Sequence, residues 1–218
     1  VDLALADITR HPVREYLRSL IWDGEKRCET LFIDYLGAED SRYTRTVTRK
    51  ALIGAAARIL SPGCKHDHML VLIGPQGCRK STTLKKLGKE WFSDSLYTMS
   101  GKDAYEQLQG FWIIELSEMA ATRKAEVEQI KQFVSKQEDN YRAAYARRTQ
   151  CHPRQCAFFG TTNDEEFLRD PTGARRFWPV VVTDAGKTLG DKLTASIVDQ
   201  IWAEVVTYYE AGETWYLD

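Results

Sequence analysis

The stretch Met-Leu-Val-Leu-Ile-Gly-Pro-Gln-Gly-Cys-Arg-Lys-Ser at residues 69–81 constrains the fold more than any other in this 218-residue chain. Five apolar residues run into Gly74, as a buried parallel strand does at its end. The segment from Ser81 to Leu87 reads as a helix. Between them lies the octapeptide Gly74-Pro75-Gln76-Gly77-Cys78-Arg79-Lys80-Ser81. It fits the pattern GxxxxGK[ST] except at Arg79, where the pattern has glycine. A strand, a tight glycine-rich turn and a helix start in immediate succession leave few topologies other than a βα unit of a parallel sheet.

Such a loop curls backbone N–H groups around an anion at a helix N-terminus. Lys80 would set its ammonium on the β- and γ-phosphates of a nucleotide, and the Ser81 hydroxyl would coordinate Mg²⁺. The candidate nucleotide-binding residues are therefore Gly74, Pro75, Gln76, Gly77, Cys78, Arg79, Lys80, Ser81 and Thr82; no catalytic role is assigned to Thr82 or Thr83. Glycine lets backbone approach a phosphate because it has no Cβ. An Arg79 side chain would either crowd the phosphate or point outward.

The same alternation continues downstream. Residues 111–116 read as a second buried strand, 124–136 as an amphipathic helix with Val127, Ile130 and Val134 inward, 157–161 as a third strand and 177–182 as a fourth. Residues 193–209 close the chain as a helix with Leu193, Ile197, Ile201 and Val205 on one face. Upstream, Val13, Tyr16, Leu17, Leu20 and Ile21 repeat at helical spacing after Pro12. A short helix over 31–36 ends at Gly37, and a longer one over 41–60 stops at Pro62-Gly63. The expected division is an N-terminal helical subdomain over 1–66, a core over 67–184 and a C-terminal helical segment over 185–218.

Two acids stand at the end of the second strand. Glu115 sits within an apolar run, where a lone charge is costly, and Glu118 lies three residues on. One would order Mg²⁺ and the other act as base, in either assignment. The third strand ends in Thr161-Thr162-Asn163, and Asn163 is the expected sensor of the γ-phosphate. Arg175 and Arg176 precede the fourth strand; supplied across a subunit interface, one would act as an arginine finger. Residues 131–154 interleave bases with aromatics, as a hairpin contacting nucleic acid does. Lys136, Arg142, Tyr145, Arg147 and Arg148 are the candidate DNA contacts there.

Composition narrows the class. Hydrophobic residues make up 43% of the chain and the net charge is −1, so bulk charge does not announce a nucleic-acid binder. No apolar run approaches a membrane span, and residues 1–10 lack the apolar stretch of a signal peptide. Five scattered cysteines without a CxxC pair point to reduced thiols and a cytoplasmic setting. Residues 64–68, Cys-Lys-His-Asp-His, fit no common zinc spacing and read as a polar turn.

The order of these motifs resembles the superfamily 3 helicases, and more closely the virulence-associated protein E family of phages and mobile elements. The resemblance runs from His11-Pro12-Val13-Arg14-Glu15-Tyr16-Leu17 and Trp22-Asp23-Gly24 through Pro62-Gly63-Cys64-Lys65 and the glycine-rich loop. It continues through Glu115-Leu116-Ser117-Glu118, Arg123-Lys124-Ala125-Glu126 and Arg169-Asp170-Pro171-Thr172-Gly173 to Arg175-Arg176-Phe177-Trp178-Pro179. It implies an α/β fold, the three-layer P-loop NTPase of AAA+ and superfamily 3 type, with an N-terminal helical subdomain. It implies an ATP-hydrolysing, helicase-like motor using ATP and Mg²⁺, acting on single-stranded or forked DNA in replication of a phage or mobile element. It also implies a homo-oligomeric ring such as a hexamer, a primase domain or partner, and no membrane. Two rival expectations stand beside it: a DNA-binding or assembly module whose loop is silenced by Arg79, and a small-molecule P-loop kinase.

Overall fold

The structure, a computed structural model, describes residues 11–117, 124–142, 148–163 and 174–217. Among these residues three helices come first: α1 (Pro12–Ser19), α2 (Leu31–Leu36) and α3 (Arg42–Leu60). Each has a local reason to start or stop. His11 accepts from the Arg14 N–H at the head of α1, and the Ser41 hydroxyl accepts from the Thr44 N–H at the head of α3. Gly37 takes φ +66° to end α2, its N–H returning to the carbonyls of Phe32 and Ile33. Helix α1 is shorter than the apolar spacing predicts. It stops at Ser19, where Leu20 takes an extended backbone with φ −77° and ψ 142°, and Ile21 is exposed.

The sheet follows: β1 (Met69–Ile73), β2 (Phe92–Ser93), β3 (Ile113–Leu116), β6 (Ala157–Thr162) and β7 (Phe177–Val181), in spatial order β2-β3-β6-β1-β7. All four pairings are parallel. Helix α4 (Lys80–Gly88) leaves β1 through the glycine-rich loop, while α5 (Gly101–Glu106) and α6 (Lys124–Val134) fall between later strands. A separate antiparallel hairpin pairs β4 (Glu138–Tyr141) with β5 (Gln150–Pro153). The chain ends through α7 (Gly186–Leu189) and α8 (Ala195–Glu210). Phe111, expected in the second strand, lies before β3, and Leu193 lies just ahead of α8. The sequence reading did not mark β2, α5 or α7, which are too short for a hydrophobic period to show.

Alternation along the strands splits the core in two. Leu70, Leu72, Ile113, Ala157 and Phe159 face α1, α3, α4 and α8, and one cluster joins them to Val13, Leu17, Phe32, Leu52, Leu84 and Trp202. The N-terminal helices thus share a core with one face of the sheet. Met69, Val71, Ile73, Ile114, Leu116 and Phe158 face the other way, onto α5 and α6. The result is three layers around a mostly parallel sheet.

Two buried carboxylates hold segments outside the sheet in place. Glu204 on α8 is fully buried and accepts from the Arg27 and Cys28 N–H groups at 2.6 and 2.8 Å and from the Tyr208 hydroxyl at 2.9 Å. Asp139 on β4 pairs with Arg154 through both carboxylate oxygens, at 2.5 and 3.0 Å. The Arg154 guanidinium also reaches the Phe133 carbonyl, fixing the hairpin base to α6.

Candidate functional site

In a parallel sheet the strand C-termini form one edge, and ligands collect there. Here that edge brings together Gly74 after β1, Ser117 after β3 and Asn163 after β6. The chain approaches Val182 so closely at Gly74 that no side chain fits: a Cβ there would collide with the Val182 carbonyl. Gly77 takes φ +81°, and Arg79 takes φ +69° as the N-cap of α4, without a side-chain cap. No side chain therefore caps the first turn of α4, the arrangement that suits an anion.

Arg79 occupies a left-handed conformation that costs a non-glycine residue about 1–2 kcal/mol. Of the two directions open to its side chain, it takes the outward one. The guanidinium lies 3.2 Å from Asp191, in the turn after α7. Its Cβ and Cγ come within 3.0 and 3.1 Å of where a Cβ on Gly190 would be, so glycine at 190 makes room for the arginine. Gly186 does the same for the loop backbone, since a Cβ there would collide with the Cys78 carbonyl. Lys86 bonds the Gly190 carbonyl at 2.8 Å and holds this wall to α4. Sequence reasoning missed Gly186, Gly190 and Asp191; their only signal is two glycines four residues apart, with nothing to connect them to residue 79.

The Lys80 ammonium is buried and donates to the carbonyls of Gly74 at 2.6 Å and Pro75 at 2.9 Å and to Asn163 Oδ1 at 2.9 Å. Lysine and the strand-end asparagine are thus in direct contact although 83 residues apart. Ser81 Oγ donates to Glu115 Oε1 at 2.6 Å, and Thr161 Oγ1 donates to the same oxygen at 2.5 Å. Glu115 is 1% exposed, and its Oε2 is buried with no hydrogen-bond partner among the described residues. Lys80, Ser81, Thr161 and Asn163 border a cavity of about 340 Å³, lined on the loop side by Gln76, Gly77, Cys78, Arg79, Lys80, Ser81 and Thr82, and on the strand side by Ser117, Thr161, Thr162 and Asn163; Glu115 lies behind Ser81 and Thr161 and does not line it. Gly74 and Pro75 contribute their carbonyls to Lys80 rather than surface to the cavity.

Glu118 lies outside the described residues, as do Tyr145 and Arg147. Arg175 and Arg176 form a 3₁₀ turn at the start of β7, where Phe177 pairs with Met69 at the beginning of β1. They therefore stand at the opposite edge of the sheet from the loop, a strand length of roughly 13 Å away at about 3.3 Å per residue. Their neighbour there is His68, stacked on Trp178 at 4.4 Å. Burial lowers the His68 pKa, Asp67 opposes that, and Lys65, Arg176 and Arg175 add to it.

The basic stretch before β6 divides by burial. Lys131 is 3% exposed and pairs with Glu128, and Arg154 is the buried partner of Asp139, so neither belongs to a basic surface. Lys136 bonds the Tyr105 hydroxyl at 2.5 Å and sits over its ring. Arg142 and Arg148, on either side of the hairpin tip, are exposed. Tyr141 stacks on His152 at 4.3 Å across the two strands. Among the described residues no cluster of three or more His, Cys, Asp or Glu forms a metal cage, and Cys28, Cys64, Cys78, Cys151 and Cys156 are free thiols. No helix among them is long and apolar enough to cross a membrane.

The family model of the virulence-associated protein E-like domain matches residues 17–218. No curated protein matches the chain. Among solved structures, "The A form apo structure of NrS-1 C terminal region-CTR" aligns with a TM-score of 0.60 at 12% identity, over 86% of this chain and 48% of that one. "The apo structure of NrS-1 C terminal region (305-718)" aligns with a TM-score of 0.54 at 16% identity, over 92% and 47% respectively. At such identities the likeness shows a shared fold, and the chain spans about half the length of those structures.

Proposed function

This chain belongs to the virulence-associated protein E-like domain family, and on that premise we propose that it is a P-loop ATPase core that powers movement on DNA during replication of a phage or mobile element. One observation carries the reading. Lys80, Ser81 and Asn163 line a single cavity at the C-terminal edge of a parallel sheet, and buried Glu115, from a third stretch of chain, holds the Ser81 hydroxyl from behind. A turn between a strand and a helix with no ligand has no need of a buried ammonium, a buried carboxylate and an amide at that place.

The side chains fit a nucleotide with magnesium. The loop and the first turn of α4 would cradle the phosphates, and Lys80 would exchange one of its present acceptors for a phosphate oxygen. Ser81 Oγ and the unpartnered Oε2 of buried Glu115 are hard oxygen donors of the kind Mg²⁺ takes, directly or through water. Magnesium, when bound, would neutralise charge developing on the transferred phosphoryl group. Asn163, already on Lys80, would read the γ-phosphate, and Glu118 or Glu115 would polarise the attacking water. Arg175 and Arg176, far from their own loop, would serve the loop of a neighbouring copy in a ring. Exposed Arg142 and Arg148, with Lys136, Tyr145 and Arg147, would hold a DNA strand at the hairpin.

Measuring phosphate release with and without single-stranded DNA tests the reading. The expected result is hydrolysis that rises with DNA and is abolished by Lys80→Ala. Unchanged turnover in Lys80→Ala would remove Lys80 from the mechanism. Absence of Mg-ATP binding by the native protein would favour the nucleotide-silent assembly module instead.

A further inference from the structure

We propose that Thr161 is a positioning residue that locks the Glu115 carboxylate for a divalent cation; this rests on the nucleotide reading of the same site. Strand alternation sets up the contact. Glu115 pairs in register with Phe159, and Leu116 with Gly160. Phe159 belongs to the core face that also holds α4, so Thr161, two residues on, falls on that face one pleat nearer the loop. Its side chain is 4% exposed, and its hydroxyl lies 2.5 Å from Glu115 Oε1.

The division of labour on Glu115 follows from donor counting. Oε1 receives both available hydroxyl protons, from Ser81 and Thr161. Oε2 receives none among the described residues, and it is buried. A buried carboxylate oxygen without a donor is costly, and a cation or its bound water relieves that cost. Ser81 can keep its proton on Oε1 while presenting a lone pair to the same cation. Thr161 ties Oε1 to the rigid central strand β6, so the carboxylate cannot rotate to exchange its two oxygens. Partners behind a metal ligand typically change metal affinity 10- to 100-fold.

The test compares affinity for a fluorescent, non-hydrolysable ATP analogue in saturating Mg²⁺ and in EDTA, for the wild type, Thr161→Val and Thr161→Ser. We expect Thr161→Val to lose about tenfold of the Mg²⁺-dependent gain in affinity, taken as the ratio of its own affinities in Mg²⁺ and in EDTA. Thr161→Ser, which keeps the hydroxyl, should retain the gain. Should Thr161→Val fail to fold, Thr161→Ala carries the same comparison. An equal Mg²⁺-dependent gain in wild type and Thr161→Val overturns the proposal and leaves the ATPase reading standing. Loss of the gain in Thr161→Ser as well overturns it too, because the hydroxyl would not be the cause. No binding by the wild type in either medium overturns both.

Discussion

The Arg79 guanidinium lies 3.2 Å from the Asp191 carboxylate, so the residue that breaks the loop pattern is tied to the turn after α7. Arg79 lines the cavity, but its charge is engaged by a residue that does not. Its left-handed backbone preserves the turn that a glycine would make.

This predicts a contrast between two substitutions. Arg79→Gly should leave nucleotide affinity within about fivefold of wild type, because an exposed ion pair contributes at most about 1 kcal/mol. Gly186→Ala should weaken it at least about tenfold, or about 1.4 kcal/mol, because a Cβ there collides with the Cys78 carbonyl and must displace the loop. Titration with a fluorescent ATP analogue checks both.

The place of Arg175 and Arg176 at the far edge of the sheet predicts complementation. Lys80→Ala and the double variant Arg175→Ala, Arg176→Ala should each lose hydrolysis by about 10³-fold or more. Mixed, they should recover activity above either alone, because one supplies intact loops and the other intact arginines. Phosphate release measured on the mixture decides; no recovery would rule out a finger acting between copies.

The Asp139–Arg154 pair should be a stability determinant of the hairpin. Both side chains are nearly inaccessible, at 2% and 1%. Asp139→Ala leaves a buried guanidinium without its carboxylate, which costs about 3–5 kcal/mol. A urea denaturation midpoint measures it. Replacing both residues with apolar side chains of similar size should cost much less.

Acidification should destabilise the fold through His66. Burial, with Arg58 and His68 nearby, pushes its pKa down to about 3. An unfolded histidine takes up its proton near 6.5, so between those values the unfolded state binds more protons. The contribution of His66 is therefore complete above about pH 6.5 and is lost as pH falls toward 3, by up to about 1.4 kcal/mol per pH unit. Urea unfolding at pH 7, 5.5 and 4.5 should show a slope that His66→Gln flattens.

Much of the architecture is legible along the chain. The run 69–73 is β1 residue for residue, and Gly37 ends α2 as read. Ile201 and Val205 of α8 are buried as their spacing predicts. The basic stretch before β6 is less legible, because a lysine or arginine in a list of charges looks the same whether exposed or paired. Arg154 is buried against the equally buried Asp139, whereas Lys131 is buried although its partner Glu128 is half exposed. Thr161 carried a weak signal, two residues before the chosen Asn163, but nothing local connects a threonine in one strand to a glutamate in another.

The sequence by itself determined the loop with its flanking strand and helix, and placed Lys80 and Ser81 at the helix start, Glu115 in a strand and Asn163 at a strand end, because strand and helix periods and turn chemistry are local properties. Only the tertiary structure decided that Glu115, Thr161 and Ser81 share one face, that Arg79 turns to Asp191, and that Arg175 and Arg176 stand at the opposite edge. Those outcomes depend on strand order and register, which are set by the mutual burial of faces from segments far apart in the chain.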